Sequence, residues 1–588
     1  MKGWKYVVTA IVLCLAGLPA LVGAGEGGPG RPRIPGAAPG EVLFETGFEQ
    51  GQDFPEPVQH EVTDGAAHSG SRSLVASISE DNPVRQYRIP VEGKKGRRIR
   101  IALWRRTRSK CRFALFWEHQ NPRTGELERR RLQTHPVSGG WEKYSTTFVA
   151  TNGQNCRVSI VWPSYYGPQN ATRAWLDDVT VSDVGPAPGW SAENVQDFPA
   201  LATDAQGRTW LAMIERPKTD PVMRPRVGVF RVTKSDRKRV ATLSPGGITG
   251  ISRPTLTGRD EGCVVAFGAE VSGQYDIHYS RISGQRGGVR LREIEVGGNA
   301  NILPSATRAG DRTCLVWETN APGHRAVAVS WIDGGGASEP RIISPDGLDC
   351  SNPAVTASED GEVFAAWDCF REGNVDLYGR CYRAGEWGEV QRLTTDPRTE
   401  RHVDLASHDG TVWMTWEAKS FDDQLVNRPD EQRIVVGAYK NSRLRVPMKL
   451  FETVKSGLFL RPWIGFDPEG RLWLTARKSS GQHSGWNAWA WCYGGDSWTD
   501  RQLIWDQTGR WRSVPLAWGD SGPVAAVQRD NISTGTTRGP QPSCNSEVTL
   551  VDTGPAEAPE PAPLRTTELN MPETQFSLAK QRVEPSNT

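Results

Sequence analysis

Three tryptophan–acid pairs recur along the second half of the chain: Trp317-Glu318, Trp367-Asp368 and Trp416-Glu417. Each ends a short apolar run of the kind that forms a buried strand. Upstream of each pair lies a brief opening segment with a turn between the two. In a hairpin, the residues of the opening segment and the acid fall at one end and the turn at the other. That places Glu215, Glu270, Glu318, Asp368 and Glu417 on one rim with Arg253, Arg401, His402 and Arg461. Carboxylates beside guanidiniums are the groups needed to move protons at a glycosidic bond and to grip an acidic sugar. The recurrence supports a second reading, in which each pair is a structural contact between repeats. Arg253, His402 and Arg461 are not shared by all repeats, so the functional expectation leans on them.

A second cluster is basic. Lys94 to Arg112 holds ten Lys and Arg and no acid, and Arg129, Arg130 and Arg131 follow. Period-two alternation sets Ile99, Ile101 and Leu103 on one face and Arg98, Arg100, Trp104 and Arg106 on the other. An indole can stack on a sugar or base while guanidiniums pair with carboxylate, sulfate or phosphate. The formal net charge of +2 over 588 residues gives no general attraction to polyanions, so the expected partner is an acidic polysaccharide rather than nucleic acid. The alternative is a solvated face. Trp117 and Trp162 share faces with Phe113, Leu115, Val158 and Ile160 and read as core.

Cys350 and Cys369 flank one hairpin end, three residues before a Pro and two after a Trp, which suits a cross-strand disulfide. Gly519-Asp-Ser-Gly522 imitates a serine-protease nucleophile segment, but Pro523 follows it and its place is a turn. There is no P-loop, no HExxH and no dinucleotide fingerprint, so no catalytic cofactor is expected.

The elements that position these groups are legible in the punctuation. Lys2 and Lys5 precede an apolar run from Tyr6 to Val22 and small residues at Val22-Gly23-Ala24, which predicts a signal peptide over 1–24 and a secreted or periplasmic protein. A flexible leader over 25–40 and a first domain over 41–185 follow. No later stretch has the apolar length of a membrane span. From 190 to 552 a unit repeats, opened by Pro at 199, 254, 304, 353, 462 and 515, with Val403 in the fifth place. Turns such as Asp204-Ala-Gln-Gly207 and Asp467-Pro-Glu-Gly470 separate its strands. A period near 50 with about four strands predicts a β-propeller of about seven blades, with six or eight as alternatives. Residues 553–588, rich in Pro, Glu, Thr and Ser, predict a disordered tail.

The fold class expected is therefore all-β, a jelly-roll sandwich followed by a propeller. The first domain resembles carbohydrate-binding jelly-rolls of families 4, 9 and 22 at Gly47-Phe-Glu49, Ala67 to Leu74, Trp141-Glu-Lys-Tyr144 and Trp175-Leu-Asp-Asp178. That resemblance implies a structural calcium near the first and last strands, with Glu49, Asp177 and Asp178 at the matching positions. The repeat region resembles sialidase-like and TolB-like propellers, most clearly over Asn352 to Glu417. Its Ser358-Glu-Asp-Gly361 is one residue short of the sialidase Asp-box. Three functions follow as expectations: a secreted glycan-binding protein, a polysaccharide hydrolase or lyase working at the rim, and a surface scaffold that binds protein.

Overall fold

The computed structural model describes residues 41–52, 60–78, 84–91, 97–120, 124–150, 154–163, 172–186, 193–220, 222, 224–233, 236–283, 289–421, 429–446, 459–479, 486–493, 498, 502–508, 513–520, 522–530 and 546–552. The expected signal peptide, leader and tail lie outside them. Among the described residues every regular element is a strand, and no helix is long and apolar enough to cross a membrane.

Eight strands form the first domain: β1 Glu41–Thr46, β2 Glu61–Thr63, β3 Ser73–Ile78, β4 Val84–Pro90, β5 Arg97–Gln120, β6 Leu127–Val149, β7 Gln154–Pro163 and β8 Thr172–Pro186. The hydrogen-bonded order is β2-β3-β8-β5-β7-β4, with β1 on β8 and β6 on β5. The long strand β5 belongs to two layers. Its Arg97–Thr107 part pairs with β8 and its Ala114–Gln120 part with β7. Bulges around Thr107, where the register with β6 shifts twice, mark the passage between them. Between the layers lie Phe48, Leu74, Ile99, Ile101, Leu103, Leu115, Trp117, Ile160, Leu176 and Val181. The alternation read along β5 holds: Ile99, Ile101, Leu103 and Arg105 are buried, while Arg98, Arg100, Trp104 and Arg106 keep partial exposure.

The repeats form antiparallel sheets whose strands follow chain order. The first is β9 Asn194–Thr203, β10 Thr209–Pro217, β11 Arg226–Thr233 and β12 Asp236–Leu243. The second is β13 Ile248–Ile251, β14 Thr255–Gly258, β15 Cys263–Val271, β16 Gln274–Ile282 and β17 Arg292–Ile294. The third is β18 Ile302–Ala309, β19 Arg312–Thr319, β20 Ala326–Ile332 and β21 Arg341–Ile342. The fourth is β22 Asp349–Ala357, β23 Val363–Arg371, β24 Asn374–Arg383, β25 Glu386–Trp387 and β26 Gln391–Arg392. The fifth is β27 Thr399–His408, β28 Thr411–Phe421, β29 Pro429–Lys440 and β30 Arg443–Arg445. The sixth holds β31 Phe459–Phe466, β32 Leu472–Ser479, β33 Trp486–Tyr493 and β34 Gln502–Thr508, then β35 Leu516–Gly519, β36 Gly522–Asp530 and β37 Ser546–Asp552. These two groups touch in the ladder only at Thr508↔Arg529.

Each sheet has two apolar faces, and stacking buries both. The hydrophobic clusters between sheets run around the ring, from the first–second junction at Trp210, Val265 and Phe267 to the contact of β35–β37 with β10 and β11 at Leu211, Met213, Ala526 and Val548. The opening strands β9, β14, β18, β22, β27 and β31 lie side by side around the axis, and β35 meets β9. Closure is hydrogen-bonded as well. Phe198 N donates to Gln528 Oε1 at 2.9 Å, Asp520 N to Gly207 O at 2.8 Å and Ser546 Oγ to Gln196 O at 2.8 Å.

The turn residues act as their chemistry requires. Asp204 Oδ1 accepts from the amides of Gln206 and Arg208, while Oδ2 accepts the indole N–H of Trp210 at 2.9 Å. Asp467 repeats this with Arg471 and Trp473. Gly207 and Gly470 sit at φ 72° and 78°, where a side chain is strained. Gly519 pairs with Gly522 where β35 turns into β36. Cys350 and Cys369 are partners in the β22–β23 ladder and are joined by a disulfide.

One buried acid of this framework is out of its ordinary range. Glu400 accepts the Trp416 indole N–H at 2.7 Å, and burial pushes its carboxyl up to about 7. The unfolded value is near 4.3, so between pH ~4 and ~7 the folded chain holds a proton that the unfolded chain has lost. Stability therefore falls as pH rises through this window. Glu400→Gln keeps an acceptor for Trp416 without the charge. It is expected to be about 3–4 kcal/mol more stable than wild type at pH 8 and equal to it below pH ~4. Urea melts at the two pH values check this.

Candidate functional site

The rim is built by one device used in several sheets. The residue before Pro199, Pro304, Pro353 and Pro462, and before Val403, adopts the left-handed conformation, while Arg253 before Pro254 and Val514 before Pro515 do not. Phe198, Leu303, Asn352, His402 and Arg461 have φ of 54°, 53°, 51°, 59° and 52°. Such angles are uncommon outside glycine and recur at functional sites, and the residue before Pro is normally extended. Each bulge shifts the register of its hairpin, between Ile302/Ser305, Ser351/Ala354, Arg401/Asp404 and Leu460/Trp463. The freed amide then donates across to the preceding sheet. Leu303 N reaches Ser252 Oγ at 3.3 Å, Asn352 N reaches Glu318 Oε2 at 3.3 Å, and Arg461 N reaches Glu417 Oε1 at 2.7 Å.

Three acids occupy one equivalent ladder position, opposite the residue two before Pro304, Pro353 and Val403. Glu318 pairs with Ile302, Asp368 with Ser351 and Glu417 with Arg401. In the sixth sheet that position is Arg477, buried and paired with Leu460. Gln528 plays the same part at closure. Glu215 departs from the expected rim. Asp197, two before Pro199, pairs with Ile214, so Glu215 is one residue beyond and points to the other face. There it is fully buried under the Arg239 guanidinium, with Nη1–Oε2 at 2.8 Å and Nη2–Oε1 at 2.9 Å. Glu270 is displaced by two: the equivalent site is Gly268, whose amide donates to Ser252 Oγ.

The remaining acids are engaged within the protein. Asp368 Oδ2 takes Asn352 Nδ2 at 3.0 Å and Arg401 Nε at 3.2 Å. Glu417 is fully buried and holds Lys419 Nζ at 2.6 Å, with His402 Nδ1 at 3.3 Å. Hydrogen bonds from the His402 ring and the Lys419 ammonium keep its carboxyl below the usual carboxylate range despite burial. Burial raises Glu318, and it raises Asp404, whose Oδ2 accepts Ile464 N at 3.0 Å, to about 6. Burial also lowers His402, which favours the neutral imidazole.

The arginines differ from the acids. Arg253 and Arg461 make no side-chain hydrogen bond or ion pair among the described residues, though both are partly buried. Burial lowers both. Arg253 feels Asp404, Glu318 and Asp368, while Arg461 feels Glu417 and is opposed by Arg253 and Arg401. Three guanidiniums thus lie close enough to act on one another around the axis: Arg401 is paired with Asp368, while Arg253 and Arg461 feel the adjacent carboxylates without a hydrogen bond to them. Of the residues the sequence places on the rim, the structure brings Arg253, Arg401, His402 and Arg461 near one another. Asp404, Lys419, Ser252, Asn352, Arg477 and Gln528 join them but carry no Trp–acid signature in the sequence.

In the sandwich, Trp104 stacks on the His68 ring, with centroids 3.6 Å apart at 13°, and Trp141 meets the same ring edge-on at 6.0 Å. His68 Nδ1 lies 2.8 Å from Asp178 Oδ2. The Arg106 guanidinium lies 5.5 Å from the Trp175 ring centroid, and Arg129 is paired with Glu118 at 2.9 Å. Glu49 accepts from the amides of Ser71 and Arg72 and from Ser71 Oγ. Asp177 is buried and accepts from the amides of His68, Ser69 and Asp178; burial, the largest influence, raises it to about 6. Asp177 Oδ1, Asp178 Oδ1 and Gln52 Oε1 surround the Cβ space that Gly47 leaves open, at 3.8, 3.5 and 3.8 Å. All are hard oxygens of the kind calcium takes, although no three His, Cys, Asp or Glu side chains among the described residues form a metal-holding group.

No family model and no curated protein matches the chain. Among solved structures, the first domain is similar to a CBM22-1 xylan-binding domain from Paenibacillus barcinonensis (16% identity, 26% of this chain, 99% of that one, TM-score 0.22). The repeat region is similar to an ulvan lyase of polysaccharide lyase family PL25 (12% identity, 62% and 96% of the two chains, TM-score 0.40). A leech intramolecular trans-sialidase aligns at 9% identity over 75% of this chain and 96% of its own, with TM-score 0.37. These are likenesses of fold, and the functional reading rests on the site.

Proposed function

We propose that this is a secreted glycan-binding protein whose propeller, read as seven blades, takes an anionic sugar unit at its channel rim. The observation that carries the reading is the convergence of Arg253, Arg401 and Arg461, of which Arg253 and Arg461 make no side-chain hydrogen bond or ion pair among the described residues. A buried charge without a partner costs several kcal/mol, so two unpaired guanidiniums side by side fit a site completed by an anion. A uronate carboxylate or a sulfate ester matches their geometry. The sandwich adds a second contact through Arg98, Arg100, Trp104 and Arg106. Glycan arrays carrying neutral, uronate and sulfated polysaccharides test this, with stronger retention expected on the acidic members and that preference expected to be lost in Arg253→Ala/Arg461→Ala.

One observation favours a lyase as the second reading. A neutral His402 with Nδ1 toward Glu417 leaves Nε2 as a base, while the arginines would neutralise a uronate carboxylate and ease loss of its α-proton. Incubation with polyuronates and assay for unsaturated ends separates the readings; product that disappears in His402→Ala would replace binding with catalysis. A hydrolase is less well supported, because Glu318, Asp368 and Glu417 are all committed to protein donors. A protein-binding scaffold has no specific observation in its favour.

Calcium at Asp177 and Asp178, with Glu49 steadying the loop, is proposed as a structural ion of the sandwich. A melt in calcium is expected to exceed one in chelator by several degrees, and the difference is expected to vanish in Asp178→Asn. Equal melts would remove the ion from the account.

A further inference from the structure

Away from the channel, the outer strands of the third and fourth sheets enclose a groove of about 540 Å³. Its floor is Val329 and Ile343 with three half-buried rings in a row. Trp331 and Tyr382 have centroids 4.7 Å apart, and Tyr382 and Trp387 5.4 Å. The rings are held in place. Trp331 N donates to Ser338 Oγ at 3.0 Å, and Arg312 lies 4.3 Å from the Trp331 centroid. Arg380 bonds the carbonyls of Gly388 and Ile343 and fixes the loop that carries Trp387. The edges are charged and exposed: Glu339, Arg341 and Glu386 have no side-chain hydrogen bond or ion pair among the described residues.

We infer that this groove is a further carbohydrate site, one that binds a short run of pyranose units along the Trp331–Tyr382–Trp387 ribbon. The inference rests on the reading that the chain meets polysaccharide, and it adds a place where the channel arginines play no part. A sugar has an apolar face for the rings and hydroxyls around its edge for uncommitted carboxylates and guanidiniums of both signs. The size falls within the range of small-ligand sites. A peptide added as a strand fits less well, because the edge strands β21 and β25 are two residues each and give no ladder to extend. The mixed-sign edge predicts tolerance of neutral sugars, in contrast to the arginine-lined channel.

Hydrogen–deuterium exchange of the full chain, alone and with cellohexaose or a galacturonate hexamer, locates the contact. Slower exchange over 329–343 and 380–387 is expected with at least one hexamer. It is expected to be lost in Trp387→Ala and to need at least five-fold more sugar in the surface variant Arg341→Ala/Glu386→Ala, which touches no core contact. Protection confined to the segments of Arg253, Arg401 and Arg461 would overturn the groove and leave the channel reading standing. Protection of the groove alone would support it and count against the channel. No protection at either would overturn both. Protection of the groove by a proline-rich peptide, with none from either hexamer, would overturn the carbohydrate assignment.

Discussion

The Glu417→Ala protein is expected to be about 3–5 kcal/mol less stable than wild type at pH 7, the range for breaking a buried ion pair from one side. Glu417 is fully buried at the junction of the fifth and sixth sheets and gathers Lys419 Nζ, the His402 ring and the Arg461 amide. Removing it leaves an ammonium and an amide enclosed without acceptors, beside two guanidiniums that already lack partners. The pH dependence has a definite sign. Its carboxyl is held below the ordinary range when folded, against about 4.3 unfolded. Its contribution is thus complete above pH ~5 and declines only as pH falls toward the folded value. The gap between wild type and variant should stay level from pH 5 to 8 and narrow below pH ~4. Urea unfolding across that range checks it; a gap under about 1 kcal/mol at pH 7 would place Glu417 outside the ring-stitching role.

The Arg253→Ala/Arg461→Ala protein is expected to lose affinity for a uronate oligosaccharide by about 10²–10⁴-fold. Each guanidinium–carboxylate hydrogen bond contributes roughly 1.5–3 kcal/mol, and two are removed. The same variant should be no less stable than wild type, because two like charges are lifted from a partly buried site and neither has a bonded partner to strand. A purely structural role would show the opposite pattern, a loss of stability with unchanged binding. Calorimetric titration and a thermal melt on one preparation separate the two.

Much of this architecture was legible because its physics is local. Proline at the head of each repeat, Asp–Gly turns and apolar runs ending in Trp mark hairpins, and hairpins fix which ends share a rim. The alternation along Arg98–Arg106 assigned the faces of β5 correctly for the same reason. What failed was register. Glu215 follows the apolar run as Glu318 does, yet one residue of slip turns it to Arg239 and Arg226 on the other face. No local signal separates the two, since the slip is set by the bulge before Pro199. The bulges themselves were hidden, because a residue before proline is ordinarily extended and the left-handed turn at Asn352 or Arg461 is imposed by packing between sheets. Arg477 and Gln528 were hidden in another way: they replace an acid at the equivalent position, and a search for repeated chemistry passes over the repeats that break it. Asp404, pushed to about 6 by burial, becomes notable only once Arg253 is placed near it by a sheet 150 residues upstream.

The most direct measurement is a calorimetric titration of the chain with a galacturonate hexamer and with a neutral hexamer of equal length, at low and at physiological salt. The channel-arginine account predicts that the uronate binds more tightly, that its affinity falls as salt rises, and that the preference vanishes in Arg253→Ala/Arg461→Ala. Equal affinity for the two hexamers, or a uronate preference that survives the loss of both arginines, would contradict it.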